Sequence, residues 1–230
     1  MLLGINVFIF IAMVVKGASV TQPTADQLLR WGANFGPLTL TGQWWRLLTA
    51  MFVHIGLVHL ALNMWCLWQL GLLAEHLYGP KTFLALYVIS GLAASIVSLA
   101  RNPLVVTAGA SGAIFGLAGA LIATLYLGTL AAPRGALRTS LVSLVGFAGY
   151  NLAYGFLKSG IDNGAHIGGL ISGMLLGSVL SVDFRRQALR PSRLRTMLFP
   201  AFAIVLVAGA AEPMQENQRL CQCSVVVGRL

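Results

Sequence analysis

Charged residues are unusually scarce in this chain of 230 residues. Only 9% of the residues are charged, 15 of them basic and 6 acidic, while 57% are hydrophobic and the mean hydropathy is +0.82. An average soluble domain has about 25% charged residues, so this chain lacks the polar side chains that would cover a soluble surface. The composition excludes an ordinary soluble domain, a disordered chain and a coiled coil, and it indicates a helical membrane protein.

Cysteine is scarce as well. The spacing of Cys66, Cys221 and Cys223 matches neither a disulfide framework nor a zinc motif. A zinc site on a helix would need a glutamate beside closely spaced histidines, and none accompanies His54 and His59. We therefore expect no metal and no cofactor. The net charge of +9 is interpreted by position relative to the membrane, and no nucleic-acid partner is expected.

Seven apolar runs follow one another along the chain. They are too long and too evenly apolar for barrel strands, which alternate with a period of two, whereas helices satisfy their own backbone hydrogen bonds in lipid. We therefore predict an all-α, polytopic transmembrane helical bundle over residues 1–211, followed by a tail at 212–230. The runs cover about 2–15, 57–77, 83–99, 105–131, 141–157, 165–182 and 197–211.

Two of the runs allow another interpretation. The first could be a cleaved signal peptide, although it has no basic start and Ala18-Ser19-Val20 is a poor cleavage site. The last run is short and contains Pro200, so it is the weakest span.

The connections between the runs indicate the orientation of the chain. Residues 16–56 are too polar to span but rich in tryptophan, so we expect them to lie at the membrane surface. Among the short connections, Arg101 and Lys158 fall on one side, and the other side carries more basic residues, most of them between Arg185 and Arg195. Because basic residues concentrate in the cytoplasm, we expect a cytoplasmic N-terminus in a plasma or inner membrane.

Three of the four histidines lie where apolar runs begin. His54, His59 and His166 would all lie at the extracytoplasmic end of the bundle in this topology. Asn63 follows His59 by four residues and therefore shares its helix face. For this segment alone, polar contact between helices is one interpretation, and metal binding is a weaker one.

The fourth run contains a serine between glycines. In Gly109-Ala110-Ser111-Gly112, a serine at a helix start would be exposed beside free backbone N–H groups, which favour a developing anion. The motif is weak by itself, because Gly112 and Gly116 are equally typical of a close helix-packing face.

The sixth run begins near His166 and carries a glycine stripe that another helix can approach closely. If the stripe packs against Gly112 and Gly116, Ser111 and His166 reach similar depth, and a hydroxyl with a base in reach is the minimum for nucleophilic catalysis. Asp162 lies in a loop, so we expect a dyad without a buried acid. The glycines of the stripe are Gly169, Gly173 and Gly177.

Together these residues resemble the rhomboid family of intramembrane serine proteases. The resemblance covers about residues 43–182 and rests on four motifs in the order of the family. They are Trp45-Arg46, the His54…His59…Asn63 segment, Gly109-Ala110-Ser111-Gly112, and Ala165-His166 with the glycine stripe.

The resemblance implies a role for each residue of the site. Ser111 would be the nucleophile and His166 the general base. His59, Asn63 and the backbone N–H of Ser111 would form the oxyanion hole, with His54 in support. Phe115 is a departure, because many bacterial members have a tyrosine there, stacked on the catalytic histidine.

The resemblance also implies the architecture and the partners. Residues 1–182 would form a six-helix core with 197–211 as an added seventh helix, and Trp45-Arg46 would anchor the first loop at the lipid surface. The partners would be the lipid bilayer and transmembrane protein substrates, cut where their helices are weak. The oligomeric state stays open.

Two other functions compete with a protease. An inactive rhomboid-like protein would act as a binding or quality-control module, but it usually lacks the serine or the histidine. A transporter or channel would place polar groups at mid-bilayer or in inverted repeats, and no such repeat is visible in the sequence.

Overall fold

The computed structural model describes residues 1–128, 130, 133–158 and 160–186. Over these residues the regular structure is helical, and the only extended pairing described is an isolated antiparallel bridge between Asn34 and Thr107. The all-α prediction is therefore confirmed. The predicted seventh helix at 197–211, the tail at 212–230 and most of the basic cluster up to Arg195 lie outside the described residues.

Six apolar helices make up the described bundle, and three short helices lie in the first connection. Helices α5, α6, α8 and α9 are long and apolar enough to cross a membrane, and α1 and α7 are shorter apolar helices. The bounds are α1 Leu2–Val15, α2 Ala25–Arg30, α3 Gly36–Thr39, α4 Arg46–Thr49, α5 Leu57–Tyr78, α6 Pro80–Arg101, α7 Ser111–Leu127, α8 Arg134–Leu157 and α9 Asn163–Arg186.

A glycine and a proline separate two of the spanning helices. Gly79 ends α5 with a φ of 78°, a conformation that costs glycine little, and Pro80 occupies the first position of α6. Proline fits there because the missing N–H would have no partner within the helix. The chain therefore reverses within one residue, and α5 and α6 enter the bundle as antiparallel neighbours.

Helix α7 lies at the centre of the bundle. Twelve of its 17 residues are buried, most of them glycine, alanine or leucine. It packs against α5, α6, α8 and α9, so protein rather than lipid surrounds it. At 1.5 Å per residue it is about 25 Å long, which is less than the hydrocarbon thickness of about 30 Å.

The glycine stripe of α9 packs directly against the backbone of α7, as the sequence predicted. A Cβ atom on Gly169 would overlap the carbonyl group of Gly112, and one on Gly173 would overlap that of Gly116. Gly177 faces Ala120 in the same way. The two backbones approach so closely that no larger residue fits without separating the helices.

The first connection is a folded segment with its own small core. Arg46 is buried, with 6% of its surface exposed, and its guanidinium donates to the carbonyl oxygens of Leu29 (2.8 Å) and Ala33 (2.9 Å). The expectation that Trp45-Arg46 anchors this segment at the lipid surface is therefore wrong for Arg46, whose Nε and Nη1 atoms donate to groups inside the segment. Trp45 is half-exposed, and its ring lies 4.7 Å from the Arg46 guanidinium.

The fourth run begins as a loop rather than as a helix, contrary to the predicted 105–131 span. Thr107 exchanges two backbone hydrogen bonds of 2.9 Å with Asn34, and the Gly109 N–H donates to the carbonyl of Ala50 at 2.9 Å. Apolar side chains of this loop, such as Val106, pack on the core of the first connection. They are partly buried without being helical, which hydropathy alone does not distinguish.

Candidate active site

Ser111 is the first residue of α7, and a glycine turn precedes it. Gly109 has a φ of 136°, in the region that favours glycine. A Cβ atom there would lie 2.7 Å from Cε1 of His59, so only glycine lets the turn approach this ring. The turn therefore packs against His59 two residues before Ser111, where α7 begins and its first N–H groups have no partner within the helix.

Ser111 and His166 are within hydrogen-bonding distance. The Oγ atom of Ser111 lies 3.0 Å from Nε2 of His166, which belongs to the first turn of α9. The contact of Gly169 with Gly112 sets the level of the two helices, so that both side chains come from the same end of the bundle. Ser111 is partly exposed and His166 is 8% exposed.

The imidazole ring of His166 stacks on an aromatic ring. Phe115 stacks on His166 with a centroid distance of 4.3 Å and an interplanar angle of 11°. Phe147 of α8 packs on the ring of Phe115, with a centroid distance of 5.6 Å. Among the described residues, Nδ1 of His166 has no hydrogen-bond partner although it is buried. Stacking therefore sets the plane of the imidazole.

The hydrogen bonds of His59 determine its tautomer. Its Nδ1 lies 3.2 Å from the backbone N–H of Ile55, which can only donate, so Nδ1 is the acceptor and the proton is on Nε2. The edge of the ring that carries Nε2 packs against Gly109, next to Ser111. His59 therefore presents a neutral N–H donor close to the serine.

His54 lies next to His59, in the loop before α5. Its Nδ1 lies 3.3 Å from the carbonyl oxygen of Phe52, and its ring centroid is 5.4 Å from that of His59. Burial, with a smaller contribution from His59, lowers the pKa of His54 to about 3, so the ring is neutral at physiological pH. Two neutral rings side by side are much cheaper to bury than two charged ones.

Asn63 lies one turn further along α5 and is buried. Its Nδ2 donates to the carbonyl oxygen of His59 at 2.9 Å. An amide nitrogen carries two hydrogens, so one remains for another acceptor. This bond also holds the side chain on the face of α5 that carries His59.

The structure offers little for a metal ion. Over the described ranges, no group of three or more histidine, cysteine, aspartate and glutamate side chains is placed to bind one. His54 and His59 use their Nδ1 atoms for backbone contacts. The interpretation of this pair as a metal site has no third ligand among the described residues.

Ser98 is a polar residue at the edge of the site that the sequence did not single out. Its hydroxyl donates to the carboxylate of Asp162, just before α9, and its Oγ lies 3.3 Å from Oγ1 of Thr107. Helix α6 also carries Ser90 and Ser95, and no spacing in the sequence distinguishes Ser98 from them. Only the packing of α6 against α9 identifies it.

The arrangement combines the parts that nucleophilic catalysis requires. A hydroxyl has a base at 3.0 Å, and the ring of His59 packs against Gly109, two residues before that serine. Ser111 is partly exposed, and His59 and Asn63 are neutral groups with N–H donors on the same face of α5. A site of this kind can add the hydroxyl to a carbonyl carbon and stabilise the oxyanion that forms.

Comparison with known proteins identifies related chains. The family model described as Rhomboid domain matches residues 41–183. Rhomboid protease GluP of Bacillus subtilis (strain 168) is 36% identical over 221 residues, 96% of this chain and 42% of that protein. Rhomboid protease AarA of Providencia stuartii is 33% identical over 193 residues, 75% of this chain and 68% of that protein.

A plant protein is also similar to this chain. RHOMBOID-like protein 7 of Arabidopsis thaliana is 36% identical over 169 residues, which cover 73% of this chain and 53% of that protein. For several of these curated relatives, the chain therefore spans about half of their length. The similarity shows what the helical domain is related to, and the relatives contain further sequence.

Proposed function

This chain belongs to the rhomboid family of integral membrane proteins, and from that premise we propose that it is a serine endopeptidase that cleaves transmembrane segments of other membrane proteins. The observation that carries the proposal is the 3.0 Å contact between the Oγ of Ser111 and the Nε2 of His166 at one end of the bundle. Two relatives that match the described helices are named rhomboid proteases.

In the proposed reaction, Ser111 is the nucleophile and His166 is the general base. The Oγ attacks the carbonyl carbon of the scissile peptide bond while Nε2 accepts the hydroxyl proton. When the tetrahedral intermediate collapses, His166 returns this proton to the leaving amine and an acyl ester remains on Ser111. Water then attacks the ester, with His166 again accepting and returning the proton.

Neutral donors stabilise the oxyanion in this proposal. They are the Nε2–H of His59, the second amide hydrogen of Asn63 and the backbone N–H of Ser111 at the start of α7. The hydrogen bond from Ile55 to Nδ1 of His59 supports this role, because it leaves the proton on the nitrogen that faces the site. Neutral donors are also much cheaper to bury in a membrane than an ammonium group.

The length of α7 supports a site beneath the membrane surface. Because α7 is about 25 Å long and the hydrocarbon core about 30 Å, the Ser111 end need not reach the surface even when the other end does. Water then reaches the site from one side only. A substrate helix hides its carbonyl groups in its own hydrogen bonds, so segments with helix-weakening residues and small side chains are the preferred substrates.

The proposed orientation places the site on the extracytoplasmic side, with the N-terminus in the cytoplasm. Ser111, His59 and His166 all lie near helix N-termini of α7, α5 and α9, which point the same way in an antiparallel bundle. A reporter fused after Arg190 is expected to be cytoplasmic, and one within residues 16–46 extracytoplasmic. The reverse result would contradict the orientation. Residues 1–182 are proposed as the core, with 197–211 as a seventh helix.

Labelling with a fluorophosphonate tests the proposal directly, because this reagent reacts with activated serines. We expect one labelled serine in the purified protein, absent in Ser111→Ala, together with cleavage of a quenched-fluorescent transmembrane peptide in liposomes. Ser178→Ala is the matched control, since this serine of α9 donates to the carbonyl of Met174 away from the site.

The outcomes separate the candidate functions. Cleavage that persists in EDTA and disappears in folded Ser111→Ala supports the serine mechanism. Loss in EDTA with recovery on adding zinc would contradict it. A folded protein that neither reacts nor cleaves would match the inactive rhomboid-like alternative.

A further inference from the structure

Asp162 caps the helix that carries His166. Its backbone carbonyl accepts the N–H of His166 at 3.1 Å, and its Oδ1 accepts the N–H of Ala165 at 2.9 Å. The carbonyl bond is the first hydrogen bond of the helix, and the Oδ1 bond satisfies one of the N–H groups that a helix start leaves without a partner. His166 therefore lies in a helical turn whose geometry depends directly on Asp162.

The other oxygen of the same carboxylate connects this cap to α6. The hydroxyl of Ser98 donates to Oδ2 of Asp162, because a carboxylate can only accept. Since Ser98 has a single hydroxyl hydrogen, the contact of 3.3 Å between Ser98 and Thr107 requires Thr107 to be the donor. The carboxylate therefore sets the direction of both hydrogen bonds. Thr107 donates to Ser98, and Ser98 donates to Asp162.

These two hydrogen bonds connect the segments that precede Ser111 and His166. Thr107 lies four residues before Ser111, in the loop that bonds to Asn34, and Asp162 lies four residues before His166. The loop and the cap would otherwise contact α6 independently. With both hydrogen bonds formed, the segments that begin α7 and α9 are held to the same residue of α6, Ser98.

Beyond the glycine contact between α9 and α7, His166 has few other restraints on its position. Phe115 determines the plane of the ring by stacking, but a stacked ring can still slide along that plane. Among the described residues, Nδ1 makes no hydrogen bond that would stop it. The distance between Nε2 and Oγ of Ser111 therefore depends on where the first turn of α9 is held.

We propose that Asp162 is a positioning residue for the Ser111–His166 dyad. Its carboxylate joins the N-terminus of α9 to Ser98 and, through Ser98, to the loop that leads into α7. The inference rests on the proposed protease function. Asp162 acts through the helix it caps, so it affects the chemical step rather than the binding of substrate.

The test compares two substitutions at this position. Asp162→Ala removes both side-chain bonds, and we expect kcat to fall by roughly tenfold to a hundredfold with KM little changed, since a misplacement of about 1 Å has effects of this size. Asp162→Asn can still accept from Ala165 through Oδ1 and donate to Ser98 through Nδ2. We therefore expect Asp162→Asn to recover most of the lost kcat.

The matched control is Asp26→Ala. Asp26 lies in the first turn of α2, and its carboxylate pairs with Arg30 at 2.7 Å on the surface of the first connection. We expect its kcat and its rate of fluorophosphonate labelling to equal those of the wild type. All variants are measured on the full chain in liposomes, with the same quenched-fluorescent transmembrane peptide and with thermal stability as the check on folding.

Ser98→Ala provides a second route if Asp162→Ala does not fold. It leaves the Oδ1 bond to Ala165 in place and removes only the link to α6, so we expect a smaller fall in kcat, again without a rise in KM. Ser95→Ala, a partly buried serine of the same helix, is its control and should behave as the wild type.

Three results would overturn the inference. They are a wild-type kcat in folded Asp162→Ala or Ser98→Ala, a loss confined to KM, and an Asp162→Asn variant as inactive as Asp162→Ala. A wild-type protein that neither labels nor cleaves would instead contradict the proposed protease function, so the two failures are distinguishable.

Discussion

Helices α8 and α9 flank the same central helix but pack against it in opposite ways. The contact of α9 with α7 is made by glycines whose Cβ atoms would overlap the facing backbone at Gly112 and Gly116. Helix α8 buries three of its 24 residues, and a Cβ atom on its Gly146 or Gly149 would have nothing within 4 Å. Helix α9 therefore leaves no free space against α7, whereas α8 leaves much of its own surface to lipid.

The difference indicates that the α7–α9 contact must be rigid and that the α7–α8 contact need not be. The dyad spans the α7–α9 contact, where a shift of a fraction of an ångström would separate Ser111 from His166. Helix α8 contributes Phe147, which supports the stacked Phe115, and little else that is buried near the dyad. The predictions below use pairs of similar residues on the two sides of this comparison, from the largest expected effect to the smallest.

The largest effect is expected for the dyad itself. Ser111→Ala and His166→Ala should each lower kcat by roughly 10⁶-fold, as in soluble serine proteases, and the double variant should be no worse because the two residues act as one unit. Thr139→Ala is the control on α8, where the hydroxyl donates to the carbonyl of Gly135. Initial rates of cleavage in liposomes measure all four. Cleavage above background by folded Ser111→Ala would refute the mechanism.

The next effect uses two asparagines that make the same local bond. Asn63 donates to the carbonyl of His59 at 2.9 Å, and Asn151 of α8 donates to that of Phe147 at 2.8 Å. Asn63→Ala should lower kcat by about 10²–10³-fold, because it removes one of several oxyanion donors. Asn151→Ala should have little effect. Equal losses would mean that polar groups of α8 belong to the site, and the contrast between the two regions would not hold.

A third effect compares one added methyl group on each side. Gly173→Ala forces a Cβ against the backbone of Gly116 and should destabilise the protein by about 1–3 kcal/mol, as overpacking does. Gly149→Ala meets open space on α8 and should be neutral or stabilising by up to about 1 kcal/mol, because alanine favours helix. Thermal unfolding in detergent measures both. Equal shifts in Tm would show that the α7–α9 contact tolerates more than its geometry indicates.

The smallest effect is expected at Phe115. Phe115→Tyr keeps the ring that stacks on His166 and adds one hydroxyl, so we expect initial rates within a factor of about two, the scale of a minor change in barrier. Phe115→Ala removes the stacking surface and should be much slower. If Phe115→Tyr were as slow as Phe115→Ala, stacking could not be the contact that orients His166.

Much of the fold followed from hydropathy. The described spans α1, α5, α6, α8 and α9 lie where apolar runs were predicted, because a membrane helix must be a long apolar segment and little else satisfies its backbone there. The fourth run was predicted too long. Val106 and Ala108 of this run pack on the core of the folded first connection, and an apolar residue looks the same in the sequence whether or not its backbone is helical.

For the candidate site, the sequence predicted one contact between helices and missed two other features. Glycines at intervals of four residues in α9 indicated a close contact with α7, and this contact brings Ser111 and His166 together. The burial of Arg46 was not foreseen, because an arginine beside tryptophans is also typical of a membrane surface. Ser98 carried no signal, since its partner Asp162 lies more than sixty residues away along the chain.

The sequence by itself determined the class of protein, the spans and the face on which two helices could meet, because hydropathy and residue size act locally and periodically along a helix. Only the tertiary structure decided the tautomer of His59, the stacking of Phe115 on His166 and the link from Asp162 through Ser98 to Thr107. The first depends on the conformation of the turn that leads into α5, and the other two depend on the distance and direction between atoms that lie far apart along the chain. Such relations are set when the helices pack, and no local property of the chain encodes them.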